Sequence, residues 1–309
     1  FSQRPSKAPL FVFMPGIYGQ PDSGLTPQFV DQLESLGGHV LVVPNLLAPK
    51  YVKAFPLYAE DPVKLEVQVL EEALSFALKE LGERVQRVEV IAESLGTALG
   101  SAWSAHDRLH QKRIQSLTLL WPPLDLPRAM KNFDGIIDEH RAAHERCWTV
   151  EKLSILMRQF LFQTYPGAMT LPEQGCIGAL VLVDGFVKAT QRSWKAYNEV
   201  APAPGEAPEG FEEYFRRYRP EFWKLISEND ERLKLDHWMR VIRRDPNFVV
   251  RVMTSQDDFL NRGLDWQSFK LEHKLSDAEL VVLDWGGHSG PVAAPEFFEV
   301  LRLSLSAGD

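Results

Sequence analysis

Cysteine is nearly absent: the 309 residues hold two, Cys147 and Cys176. That excludes a disulfide scaffold and a four-cysteine zinc site, and leaves at most one bridge or a reduced pair. No apolar run approaches the roughly 18 residues of a membrane-spanning helix, and nothing resembles a retained signal peptide. Positive charge is in deficit. The 34 Lys and Arg against 42 Asp and Glu leave a net charge of -8 and a pI near 5.6, without the basic face that a nucleic-acid binder uses to displace counterions from phosphates. Glycine-rich phosphate loops of the dinucleotide or nucleoside-triphosphate type are missing, and so are internal repeats. What remains is a soluble globular composition, 45% hydrophobic and 25% charged, ample for a packed core. At a prior of roughly 150 residues per domain, the length allows two domains or one large domain with an insertion. The pI and scarce cysteine favour the cytoplasm, although a chain beginning at Phe1 is also what cleavage of an exported precursor would leave.

The first third alternates short apolar runs with amphipathic ones, the pattern of β-α-β crossovers. Strands are expected at Leu10–Met14, Val40–Val43, Val88–Ala92 and Ile114–Trp121, the last broken by Pro122-Pro123. Between them, one helix is expected from a Thr26 cap to Gly37-Gly38 and a second from Lys64 to Leu81, where Val67, Leu70, Leu74 and Leu78 share a face. From residue 126 to 245 the rhythm stops. That segment is helical in pattern and carries a linker-like run from Ala201 to Gly210. Alternation resumes with strands at Phe248–Met253 and Glu279–Leu283, a helix near Leu264–Lys274 and a closing helix from Pro295. The expected fold class is therefore α/β: a three-layer α/β/α arrangement on a mostly parallel sheet, built from 1–125 and 246–309, with 126–245 inserted as a helical cap.

The sharpest chemical signal is Ala92-Glu93-Ser94-Leu95-Gly96, which follows an apolar strand and opens a helix. A serine on such a turn projects its hydroxyl above the sheet edge, and the residues two before and two after it must be small. The Leu95 amide, at the helix start, points where a developing oxyanion would sit. A nucleophilic serine needs a base, and the base needs an orienting acid. Gly286-Gly287-His288-Ser289-Gly290 follows the last strand and makes His288 the candidate base. The strand Phe248–Met253 ends in Thr254-Ser255-Gln256-Asp257-Asp258, where two acids compete. Asp125, after Pro122-Pro123-Leu124, is a third candidate that reads better as a turn residue. His106/His110 and His140/His144 stand at i,i+4 on expected helices but have no evident third ligand, so solvated helix faces explain them better than a metal.

The order Ser94, acid, His288, each following a strand of one alternating sheet, resembles the α/β-hydrolase superfamily over residues 10–125 and 246–305. The loop Phe13-Met14-Pro15-Gly16-Ile17-Tyr18-Gly19 is similar to that family's His-Gly-x-x-Gly loop, in which the amide after the first glycine completes an oxyanion hole. The resemblance thus implies Ile17 together with Leu95. It also implies an acid three residues after a small residue, which from Ser255 lands on Asp258 rather than Asp257. Three departures stand out: Ala92 replaces the first elbow glycine, Pro15 replaces the loop histidine, and only nine residues precede the first strand, so either the sheet is a trimmed core version or the family's two opening antiparallel strands lie outside this sequence.

The function implied is that of a serine hydrolase, in the first instance a carboxylic ester hydrolase, with a Ser94-His288-Asp258 triad, a small ester or acyl substrate, and no metal or other cofactor. Thioester, amide or acyl-transfer chemistry on the same residues, and a non-catalytic binding protein of the same fold, are the alternatives. Trp194, Tyr197, Tyr214, Phe215, Trp223 and Trp238 are candidates to line an acyl pocket, though helix packing explains most of them. The segment 126–245 holds 15 aromatics in 120 residues, no enrichment over the chain's 11%, so composition does not mark a lipid lid.

Overall fold

In the computed structural model, which describes residues 2–4, 6–17, 19, 25–45, 47–54, 60–147, 185–200, 208, 210–284, 287–288 and 295–306, six strands form one sheet. They are β1 (Ala8–Met14), β2 (His39–Val42), β3 (Val85–Glu93), β4 (Ile114–Leu120), β5 (Val249–Ser255) and β6 (Leu280–Leu283). The order is β2-β1-β3-β4-β5-β6, and every neighbouring pair is parallel. Helices connect them: α1 (Thr26–Ser35), α2 (Pro49–Ala54), α3 (Pro62–Leu81) and α4 (Leu95–His110) in the first half. Between β4 and β5 lie α5 (Leu126–Cys147), α6 (Gly185–Val200), α7 (Phe211–Tyr218), α8 (Pro220–Ser227) and α9 (Leu235–Ile242), and α10 (Trp266–His273) and α11 (Pro295–Ser306) follow.

β1 carries Leu-Phe-Val-Phe-Met and is buried on both faces, as a strand must be when helices cover the sheet on either side. Its alternation sorts the layers. Phe11 and Phe13 face α1 and α11, meeting Phe29, Leu33, Phe297 and Leu301. The Phe13 and Phe29 rings stack at 4.7 Å and Trp121 stacks on Phe297 at 5.0 Å. Leu10, Val12 and Met14 face the opposite layer with Leu70 and Leu74 of α3 and Trp103 of α4. From β1 the chain moves outward to β2, then crosses back to lay β3 on the other side of β1. Loops leaving the carboxyl ends of β1 and β3 therefore diverge, and the crevice between them is where such sheets place ligands.

All six expected strands are present, with ends displaced by up to three residues. Trp121 falls outside β4 because its φ of 48° turns the chain out of the extended region. Thr26 is not the cap of α1: Leu25 holds that place and Thr26 is the first helical residue. The second helix starts earlier than expected, at Pro62, because Asp61 caps it by accepting from the Lys64 amide at 3.1 Å. α2 was not expected; six residues are too few to show a period. Cys147 closes α5, while Cys176 and most of the run 201–210 lie outside the described residues.

The chain leaves the sheet layer at Asp125 and returns beside the same point, since Asp125 forms an antiparallel bridge with Lys234 and the Leu235 amide donates to the Leu124 carbonyl at 3.0 Å. At the other edge, Ser2 makes a single antiparallel bridge to Val40. No helix among the described residues is long and apolar enough to cross a membrane.

A buried polar cluster ties the helices between β4 and β5 to α3. Arg219, between α7 and α8, donates to Glu66 at 3.2 Å and to Glu221 at 2.6 Å, and the Tyr51 hydroxyl of α2 donates to the second Glu66 oxygen. Burial pushes the Glu66 carboxyl up to about 7 despite the attraction of Arg219. A folded carboxyl with a raised pKa holds its proton where the unfolded one has lost it, so this group's contribution is full below pH 4.5 and fades as pH rises through about 7. Thermal unfolding of wild type and Glu66→Gln between about pH 4.5 and about pH 8 should show the variant gaining on wild type as pH rises. A Tm difference that stays constant over that range would refute the assignment.

Candidate active site

Ser94 ends β3 and precedes α4 with φ 50° and ψ -119°, a conformation that L residues rarely hold. The surrounding backbone fixes it there. Its amide donates to the Leu120 carbonyl at 2.8 Å, and its carbonyl accepts from the Thr97 amide at 2.9 Å and the Thr97 hydroxyl at 2.6 Å. Gly96 must be glycine, since a Cβ there would stand 2.4 Å from the Met14 carbonyl oxygen. Helix α4 is buried along most of its length, which accounts for its small residues: a Cβ on Gly100 would already press on Ala92 at 3.0 Å.

The three expected side chains meet. His288 Nε2 lies 2.6 Å from Ser94 Oγ, and His288 Nδ1 lies 3.1 Å from each carboxylate oxygen of Asp258. An ionised carboxylate can only accept, so Nδ1 carries the proton and Nε2 offers its lone pair to the Ser94 hydroxyl. Asp258 is buried and held from below. It accepts from the Leu260 amide at 3.0 Å and from Asn261 Nδ2 at 3.3 Å. Asn261 in turn bonds the Pro122 carbonyl and the Leu124 amide, each at 2.9 Å, which fixes the acid against the end of β4. The Phe259 ring lies 5.6 Å from the imidazole.

Asp257 does not reach the imidazole through any hydrogen bond described; it is exposed and accepts from the Gly287 amide at 2.7 Å, bracing the loop beside His288. Asp125 accepts from the Arg128 amide at 2.9 Å, the turn role expected of it. Leu95 is the first residue of α4, and Ile17 follows Gly16, on which a Cβ would meet that of Ser94 at 2.9 Å; among the described residues neither the Ile17 nor the Leu95 amide donates to an internal acceptor. His106 and His110 lie with ring centroids 4.4 Å apart on α4; the side chains of His140 and His144 lie outside the described residues. Among the described residues one cluster, Asp236, Glu272 and His273, has metal-like spacing, but Arg240 already pairs with both acids and joins α9 to α10.

No protein-family model matches the sequence, and no curated protein does. Solved structures do. The Pyrococcus furiosus esterase Pf2001 superposes with a TM-score of 0.51 at 13% identity, over 98% of this chain and 84% of that one. Est1E from Butyrivibrio proteoclasticus gives 0.50 at 12%, over 98% and 89%. A lipase in its open form gives 0.53 at 12%, over 100% and 93%. The chain has the α/β-hydrolase fold. At such identities the likeness is one of fold, and the α/β-hydrolase sheet explains why the loops after β1, β3, β5 and β6 converge at one edge.

Sequence reasoning missed Asn45 and Asn261. Both are buried side chains that bond backbone groups of distant loops as well as nearer partners, and a lone Asn in a turn gives no pattern to read. The elbow packing can be tested with two glycines. Gly96→Ala should lower the free energy of unfolding by about 2 kcal/mol or more. Gly135→Ala, in α5 with open space around its Cβ, should raise it by up to about 1 kcal/mol. Equal denaturation midpoints for the two variants would contradict the close approach of Met14 and Gly96.

Proposed function

We propose that the protein is a serine hydrolase that cleaves a carboxylic ester through an acyl-enzyme on Ser94. The observation that carries the reading is the continuous hydrogen-bonded line from Ser94 Oγ through His288 to the buried Asp258, set on a residue held at φ 50°.

Attack on the ester carbonyl forms the Ser94 Oγ–C bond while the hydroxyl proton passes to His288 Nε2. The carbonyl oxygen takes up the electron pair and is held by the amides of Ile17 and Leu95, each such donor contributing roughly 3 kcal/mol to the transition state. The imidazolium that results is stabilised by Asp258, which keeps its own charge. Collapse breaks the bond to the alkoxide, which leaves with the proton from His288. Water then attacks the acyl group as His288 takes its proton, and Ser94 leaves protonated as the acid departs.

Residues 126–245 act in this reading as the cap over the site. Support comes from an apolar recess lined by Leu95, Leu99, Leu126, Phe215, Phe222 and Leu233, which joins the start of α4 to residues of the segment between β4 and β5. Arg232 also borders it, but its guanidinium is paired with Asp230 and Asp61, so that wall offers no free cation for a charged acyl tail. At about 10 Å³ the recess holds no acyl chain as it stands, so the substrate class proposed is a carboxylic ester without a chosen chain length.

A fluorophosphonate probe should label wild type and leave Ser94→Ala unmodified. On p-nitrophenyl esters, His288→Ala should lower kcat at least about 10³-fold, and Asp258→Asn on the order of 10³- to 10⁴-fold. Folded wild type that neither labels nor turns over any ester of the series would make the chain a binding protein on a hydrolase fold.

A further inference from the structure

The loop that carries Ile17 is held by two side chains that take no part in the steps above. Asn45 follows β2, and is buried. Its Oδ1 accepts from the Leu47 amide at 2.8 Å, which fixes the orientation of the carboxamide and turns Nδ2 towards the loop. Nδ2 donates to the Gly16 carbonyl at 2.6 Å, with the Gly19 and Ile17 carbonyls at 3.1 and 3.4 Å. The Gly19 amide also donates to the Gly16 carbonyl, at 2.9 Å. Both lone pairs of that oxygen are therefore engaged.

The Gly16 carbonyl and the Ile17 N–H belong to one peptide plane. In a trans peptide they point in opposite directions, and no cis peptide bond occurs among the described residues. Pinning the oxygen on Asn45 therefore aims the Ile17 N–H away from Asn45. Donors on the oxygen also polarise the plane and make that N–H a stronger donor. The preceding plane is pinned as well: the Gly16 amide donates to Glu93 Oε2 at 2.9 Å. Glu93 is the residue before Ser94 and is buried, so this bond ties the loop to the elbow itself. The fit is close, because a Cβ on Gly16 would stand 2.9 Å from the Ser94 Cβ.

Resting on the hydrolase reading, we propose that Asn45 and Glu93 are positioning residues for the oxyanion loop: Asn45 orients the Gly16–Ile17 peptide, and Glu93 ties the preceding Pro15–Gly16 peptide to the nucleophile's turn. Neither touches substrate. Both act on the transition state through Ile17, so their loss lowers kcat and spares KM.

The test compares steady-state kinetics on p-nitrophenyl acetate with inhibition by an alkyl trifluoromethyl ketone, whose adduct with a serine carries an oxyanion. Asn45→Ala and Asn45→Asp should each lower kcat by about tenfold to a hundredfold with KM within about threefold. Asn45→Asp is the variant to read if Asn45→Ala does not fold, since it keeps the shape and the Leu47 contact while removing the donor. Glu93→Ala should lose about tenfold, and Glu93→Gln, which retains an acceptor for the Gly16 amide, should recover most of that loss. The inhibition constant for the ketone should rise by the same factor by which kcat/KM falls, a correspondence that a merely structural defect would not produce. Folded Asn45→Asp with wild-type kcat, losses confined to KM, or Glu93→Gln as impaired as Glu93→Ala would each overturn the proposal while leaving the triad standing. Turnover that survives Ser94→Ala, or wild type inert to both ester and ketone, would overturn the hydrolase reading and the positioning roles with it.

Discussion

The end of β1 and the start of α4 approach so closely that one carbon atom does not fit between them. A Cβ on Gly96 would lie 2.4 Å from the Met14 carbonyl oxygen, and one on Gly16 would lie 2.9 Å from the Ser94 Cβ. Two absent side chains thus let the β1 loop settle onto the elbow at the point where the strand order reverses. Everything at the site depends on that contact. It brings the β1 loop against the turn of Ser94, which is held at a positive φ of 50°. Conformations of this kind cost on the order of 1–3 kcal/mol and persist only where the surroundings over-determine them. Here the surroundings are Leu120 on one side and Thr97 on the other, bonded to the Ser94 backbone before the side chain makes any contact of its own.

The acid and the base reach this point from the far end of the chain, and loops alone would leave them loosely placed. Asp258 is instead referenced to the end of β4 through Asn261, which bonds both the Pro122 carbonyl and the Leu124 amide. The base loop is braced from the neighbouring acid, since Asp257 accepts from the Gly287 amide while Asp258 takes the imidazole. Adjacent acids on one turn point to different partners, so the pair holds the histidine loop at two places. Backbone groups of the loops that leave the sheet edge are the anchors.

These anchors explain what could be read from the sequence and what could not. The six strands were legible because a doubly covered parallel sheet demands continuous apolar runs, as in Leu10–Met14 and Val88–Ala92, and the elbow was legible because its steric rule acts on neighbours two residues away. Ser94 and His288 carried local signals of that sort. The choice between Asp257 and Asp258 did not; both end the same strand, and only a family spacing separated them. Asn45, Glu93 and Asn261 were silent for a related reason: each works through a hydrogen bond to backbone brought near by the fold, 77 residues apart for Glu93 and Gly16. The short α2 lacked the length to show a period. The Glu66–Arg219 pair, 153 residues apart, was likewise invisible, since a Glu on the face of α3 reads as solvated until its neighbour is known.

That pair bears on how the segment between β4 and β5 is seated. Apolar contacts between helices such as α4 and α9 are non-directional and tolerate sliding. A buried guanidinium does not: Arg219 must meet Glu66 and Glu221 together, with its face over the Phe222 ring at 5.1 Å. Such a cluster adds little net stability, because desolvation offsets most of the attraction, and the raised Glu66 carboxyl is the sign of that offset. Its effect is to fix a register. Glu66 is held in turn by Tyr51 of α2, and both line the recess behind the elbow with Asn45, Pro15 and Gly96. The junction of α7 and α8 is thereby located against the same small region that holds the Ile17 loop, since Glu66 and Tyr51 share one recess with Asn45.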